Sequence, residues 1–134
     1  MSAYRTVETT FTDVRCLKRA LEENGKHPVL HSAPVRLKDY QGKERTDTAE
    51  LVIPRKDVQA AANDIGFKKQ ADGTIKAIIS EYDSHNYGPA WLKKIKKTYT
   101  ELKLKKEAYN LDLEYLGRQV LPNGKVRLQY APRG

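Results

Sequence analysis

The chain has 134 residues and a single cysteine, Cys16, which excludes an intrachain disulfide and a cysteine-based zinc site. A domain of this length buries roughly two-thirds of its unfolded surface, so it needs neither metal nor disulfide to fold. The formal charge of +8 is uneven: residues 1–67 carry eleven lysines and arginines against ten acids, and residues 68–134 carry fourteen against seven, which favours anionic partners.

In chain order, Ala3–Phe11 is rich in Tyr, Thr, Val and Phe and is predicted as a strand. Thr12 or Asp13 caps a helix over Asp13–Asn24, with Val14, Leu17 and Leu21 at helical spacing and Gly25 as the stop. Cys16 lies off that stripe and reads as a small, partly buried residue. The run from Val29 to Leu37 alternates with period two, so it is a strand. Pro34 has no N–H to give a neighbour, which makes this strand an edge or a bulged one. His31 on its apolar face fits a hydrogen-bonded structural role better than a ligand role.

Gln41–Thr48 is polar and reads as a loop, followed by a short strand at Ala49–Ile53. The run after Pro54, RKDVQAAAN, fits either one helical turn or a long hairpin loop. Ile65–Gln70 and Thr74–Tyr82 form two strands joined at Ala71-Asp72-Gly73, a tight-turn signal. Apolar residues on both faces of the second mark it as a central strand.

Pro89 suits the first turn of a helix, whose N–H groups have no partner in the helix itself. Stepping ~100° per residue, Trp91, Leu92, Ile95, Tyr99 and Leu102 share one arc, and most lysines fall outside it. An amphipathic helix is therefore expected from Pro89 to about Tyr109. Lys106 drifts into the apolar arc, so packing should loosen there. The chain closes with a hairpin, Glu114–Leu121 and Lys125–Tyr130, around Pro122-Asn123-Gly124. The order β-α-β-β-β-β-α-β-β implies one α+β domain over residues 1–134, with a twisted, mostly antiparallel sheet and both helices on one face.

Two features bear on chemistry. The second helix holds Lys93, Lys94, Lys96, Lys97, Lys103, Lys105 and Lys106 against Glu101 and Glu107. A lysine face of this kind either binds anions or is merely solvated; Lys93, Lys94, Lys96, Lys97, Lys103 and Lys105 are the candidate anion-binding residues. Just before it stands a polar stretch containing Ser84, His85, Asn86, Tyr87 and Gly88. A helix N-terminus offers free N–H groups and partial positive charge, so these five form a second candidate site for a phosphate or nucleotide. The simpler reading is that Asp83 or Ser84 only shapes the turn.

Asp83, Ser84 and His85 have the residue types of a nucleophilic triad, but three adjacent residues seldom meet with the histidine in the middle, and no G-x-S-x-G elbow is present. His27, His31 and His85 are scattered, and phosphate-loop and dinucleotide glycine patterns are absent. The pairs Asp64 with Asp72 and Asp83 with Glu81 read as turn or capping residues. No catalytic centre, metal or cofactor is expected.

The openings YRTVETTFTDVRCLKRALEENG and NDIGFKKQADGTIKAIISEYD, with the closing LPNGKVRLQYAPRG, resemble the family of conserved plastid hypothetical reading frames, number thirty-five, which has relatives in cyanobacteria, other bacteria and viruses. The likeness covers most of the chain. The RKDVQAAAN insert and the strongly lysine-rich second helix depart from it. It implies one small α+β domain, and it implies no activity or site residues, since the family is a domain of unknown function.

The expected function is non-catalytic binding of an anionic partner, nucleic acid or nucleotide, through the lysine-rich helix. The alternatives are a protein-interaction module, such as an adaptor or virus-encoded inhibitor using the strand at Pro34 or the final hairpin, and, less favoured, a hydrolytic enzyme. The start lacks the basic and apolar regions of a signal peptide, and no apolar run approaches the ~20 residues of a membrane span; a cytoplasmic protein without a membrane partner is expected.

Overall fold

The computed structural model describes residues 3–133. Its elements are β1 (Tyr4–Glu8), α1 (Val14–Glu23), β2 (Val29–Lys38), β3 (Glu44–Ile53), the single turn α2 (Arg55–Val58), β4 (Ile65–Lys69), β5 (Ile75–Ser80), a 3₁₀ turn at Asp83–His85, α3 (Pro89–Asn110), β6 (Leu113–Val120) and β7 (Val126–Pro132). The expected α+β order is present, with RKDVQAAAN resolving into one helical turn. Five strands form an antiparallel sheet in the order β1-β5-β4-β3-β2, and β6-β7 stand apart as a second, two-stranded sheet. β5 is paired on both sides, to β1 and β4, as its two apolar faces require.

The predicted loop Gln41–Thr48 is corrected: Glu44–Thr48 belongs to β3. The turn is confined to Asp39–Lys43, where the buried Asp39 carboxylate accepts from the N–H groups of Gln41 and Lys43, both at 3.0 Å. β2 is an edge strand and its register shifts between Leu30 and Val35, where Pro34 lies. The missing N–H of Pro34 accounts for both features.

α1 and α3 pack against one face of the sheet. Phe11, Leu17 and Leu21 meet Leu51, Ile53, Phe67 and Ile79, with Ile95 and Tyr99 from α3 closing the same core. Lys26 and the Tyr87 hydroxyl pin the C-terminal side of α1 to the loop before α3. Cys16 is buried within this layer, and burial, together with Asp13, pushes its thiol pKa up, away from nucleophile chemistry. The other face carries a smaller cluster: Leu37, Ala49, Val52 and Ile78. Here Gly66 is required by space. A Cβ at this position would lie 2.8 Å from the Ala49 Cβ and 3.0 Å from Leu37. The Tyr4 hydroxyl, from the β1 edge, reaches over this face and donates to the carbonyl of Asp64, just before β4, at 2.8 Å.

Asp13 caps α1, accepting from the N–H groups of Arg15 and Cys16 at 3.1 Å. Its other oxygen meets Lys106 at 2.7 Å and Lys103 at 3.5 Å. Burial opposes the Asp13 charge, but the bonds from Lys106 and Cys16 outweigh it and hold the carboxyl well below the usual carboxylate range. A depressed folded-state pKa stabilises above the unfolded value and is lost as pH falls through the folded one. Stability should therefore be flat above about pH 5 and decline in acid. Asp13→Ala should cost about 1–2 kcal/mol at neutral pH as a lost cap, whereas Asp13→Asn should keep much of the cap and flatten the acid limb. Urea titrations at several pH values check both; an unchanged acid limb in Asp13→Asn would remove Asp13 as its source.

Candidate anion-binding cleft

β1 is one edge of the sheet, and the start of α3 crosses near it. Between them lies a cleft of about 830 Å³. Its floor is apolar, made by Val7, Phe11, Ile79 and Leu92, and Lys93, Lys96 and Arg5 stand on its rim. Arg5 is held by Glu81 at 2.8 Å, and Glu8 is the acid that lines the cleft. A cavity of this size, mostly apolar with a few polar groups, is the usual form of a small-ligand site.

The polar stretch before α3 divides. Ser84, Tyr87 and Gly88 line the cleft, whereas His85 and Asn86 are not part of its wall. Asn86 donates to the Gln59 side chain at 2.8 Å, and His85 is exposed. Ser84 shapes the turn as its simpler reading held, its hydroxyl donating to the Glu81 carbonyl at 2.6 Å. Gly88 is the N-cap of α3 and makes no side-chain cap bond, and Pro89 follows as the first helical residue. A Cβ on Gly88 would fall 2.6 Å from the Ser84 carbonyl oxygen, so only glycine lets the turn close this tightly. The N–H groups of Ala90 and Trp91 are left uncapped by any side chain.

Asp83, Ser84 and His85 do not converge. Asp83 is fully buried, and its carboxylate accepts from Gln59 Nε2 at 3.0 Å, Asn63 N–H at 2.9 Å and Ser80 Oγ at 2.8 Å. Asp72 accepts from the N–H and hydroxyl of Thr74 in the β4–β5 turn, and Asp64 accepts from the N–H groups of Lys38 and Arg55, both at 2.8 Å. Among the described residues no three His, Cys, Asp or Glu side chains gather as metal ligands. The histidines correct one expectation: His31 is half-buried and its ring makes no hydrogen bond among the described residues.

The lysine face of α3 also divides. Lys103 and Lys106 bind Asp13, Lys97 donates to the Gly124 carbonyl in the β6–β7 turn at 3.0 Å, and Lys105 lies 4.4 Å from the Tyr115 ring centroid. Arg118, in the same hairpin, grips Glu101 with both Nε and Nη2. Four of the seven lysines therefore hold α1 and the hairpin in place. Lys93, Lys94 and Lys96 have no partner among the described residues. This corrects the reading of the stripe as one uniform anion-binding face. Packing loosens around Lys106 as expected: Leu104, Tyr109 and Leu111 are exposed while Ala108 is buried, and Lys106 itself turns toward Asp13.

Sequence reasoning missed the wall opposite the lysines. Arg5 and Val7 reach the cleft because β1 pairs Arg5 with Ile79 and Val7 with Ala77, residues 74 and 70 positions apart in the chain. The Tyr, Thr, Val and Phe content of Ala3–Phe11 marks the strand but not its neighbour.

The family model for a protein of unknown function (DUF1257) matches residues 20–129 of the chain. No curated protein matches it, and no solved structure does.

Proposed function

We propose, from the premise that the chain belongs to the DUF1257 family of proteins of unknown function, that it is a non-catalytic binding protein taking an anionic ligand of the nucleotide class in the cleft between β1 and α3. The observation that carries this reading is the joining of an apolar floor to a rim bearing Lys93 and Lys96, neither engaged elsewhere among the described residues. The floor suits a base or other flat apolar group, and the lysines suit phosphate. Lys94, free beside them, adds a third charge for a ligand longer than the cleft. The likeness to the plastid reading-frame family and its viral relatives is part of the same proposal, and a cytoplasmic setting fits a ligand of this class.

This reading favours a nucleotide or short single strand over a long duplex. Three lysines on one helix end neutralise about three phosphates, so log K should fall with log salt at a slope near −2 for a single strand. Binding of the nuclease-treated protein to labelled RNA, single-stranded DNA, duplex DNA and ATP at two salt concentrations checks this. A slope several times steeper would indicate a surface much larger than the cleft, and no binding to any of the four would end the proposal.

A protein-interaction role is the second reading, favoured by the free edge of β1. With the Ala3 carbonyl accepting from Glu81, the alternation of an antiparallel ladder turns the backbone groups of Tyr4, Thr6 and Glu8 outward. An extended peptide could pair there with its side chains over the same cleft. A partner that stays bound at high salt and after nuclease treatment would favour it.

A further inference from the structure

We propose a second anion site at the opposite edge of the sheet, in the concavity between β2 and α2, which takes a small phosphorylated molecule. The concavity measures about 640 Å³, within the range of small-ligand sites. Four cationic side chains line it: Arg36 and Lys38 from β2, and Arg55 and Lys56 from the single turn of α2. They converge because β2 is bulged. Leu30 faces Leu51 and Val35 faces Ala49, so the residues around Pro34 are out of step with β3 and the strand bends around the hollow.

The charge here is unbalanced. Two carboxylates, Asp64 and Glu44, face the four cations. Both oxygens of Asp64 are occupied by the backbone N–H groups of Lys38 and Arg55, which ties β2 to α2 at the back of the hollow. Glu44 is exposed at the hairpin end. The side chains of Arg36, Lys38 and Lys56 have no partner among the described residues. His31 stands on the same wall, half-buried, with no hydrogen bond to its ring among the described residues.

Arg55 gives the site its direction. Its Nη1 donates to the Tyr40 carbonyl at 3.0 Å, and its Nη2 packs over Gly42, 3.5 Å from where a Cβ would stand. That is ordinary contact distance, and it is the φ of 80° that favours glycine at residue 42. The guanidinium is thus fixed by the β2–β3 turn with donors to spare, and a planar fork held in place is suited to two phosphate oxygens at once. Val52 and Pro54 supply an apolar wall beside the cations, which suits an organic body attached to the phosphate.

The test is a titration of the full chain with inorganic pyrophosphate, followed by amide NMR. Saturable shifts should concentrate at Arg36, Lys38, Arg55 and Lys56. The affinity read at these amides should fall at least tenfold in R36E/K56E and stay unchanged in K69E/K125E, an equal change of charge at exposed residues outside both this site and the β1–α3 cleft. Arg36 and Lys56 are exposed, and R36Q/K56Q serves if the charge reversal disturbs folding. Absence of saturable shifts at these amides up to about 10 mM, a limit weaker than −3 kcal/mol, would overturn the proposal. Shifts spread evenly over all lysines would also overturn it.

Discussion

Asp83→Ala should lower the unfolding free energy by about 4 kcal/mol, a large part of the 5–15 kcal/mol typical of a small domain. The carboxylate is fully buried and joins three parts of the chain: Gln59 and Asn63 after α2, Ser80 at the end of β5, and the turn that launches α3. Its own carbonyl accepts from the N–H groups of Asn86 and Tyr87 at 3.1 and 2.8 Å. Truncation leaves the buried Asn63 N–H and Ser80 hydroxyl without their acceptor, while the Asn63 side-chain amide keeps only its bond to Ser80 Oγ. Each orphaned buried donor costs about 1–3 kcal/mol. Asp83→Asn should fall between wild type and alanine, because one of its two terminal atoms would present a donor to other donors. Ser84→Ala and His85→Ala, on exposed residues of the same turn, should stay within about 0.5 kcal/mol. Urea denaturation of the four variants checks the ranking. A cost below 1 kcal/mol for Asp83→Ala would mean that the network does not hold this corner together.

The same residue shows how far sequence reasoning reached. Wherever a local rule acts alone, the reading was sound. Of Thr12 and Asp13 it is Asp13 that caps its helix, Pro89 begins α3, Asn123-Gly124 closes a hairpin, and the strand of Pro34, read as an edge or a bulged one, is both. Glu44–Thr48 was missed because its charged side chains hide the strand, although Thr46 and Thr48 are β-branched. Composition could not show that β2, curling over the sheet, gives this polar segment a partner. Asp83 looked like a turn residue or a triad member; that its carboxylate turns inward depends on Asn63 and Ser80, which only the fold brings beside it. The candidate site was half legible. Helix periodicity put Lys93 and Lys96 on the solvent side of α3, but the opposite wall comes from a strand at the other end of the chain. Nor does periodicity tell a lysine facing a ligand from one facing Asp13.

That distinction yields the second large effect, expected from two pairs of lysines on one helix. K93E/K96E should weaken ligand binding by about two orders of magnitude and leave stability unchanged. An exposed pair of unit charges ~4 Å apart in water gains about 1 kcal/mol; reversal turns each attraction into a repulsion, about 4 kcal/mol over two positions, and salt screening of exposed charges reduces this toward the roughly 2.8 kcal/mol of a hundredfold change. Neither lysine has a partner to lose among the described residues. K103E/K106E should do the opposite. Those lysines reach Asp13 at 3.5 and 2.7 Å, so two glutamates there face the N-cap of α1, and the midpoint of thermal unfolding should fall while the folded fraction binds ligand normally. The double variants carry the same change in net charge on the same helix, so a general loss of positive charge would weaken binding equally in both. Equal loss would transfer the binding role from the cleft to the charge of the whole helix. Loss confined to K93E/K96E places the ligand where the apolar floor and the two unpaired lysines meet, and leaves the last two turns of α3 to the work of holding α1.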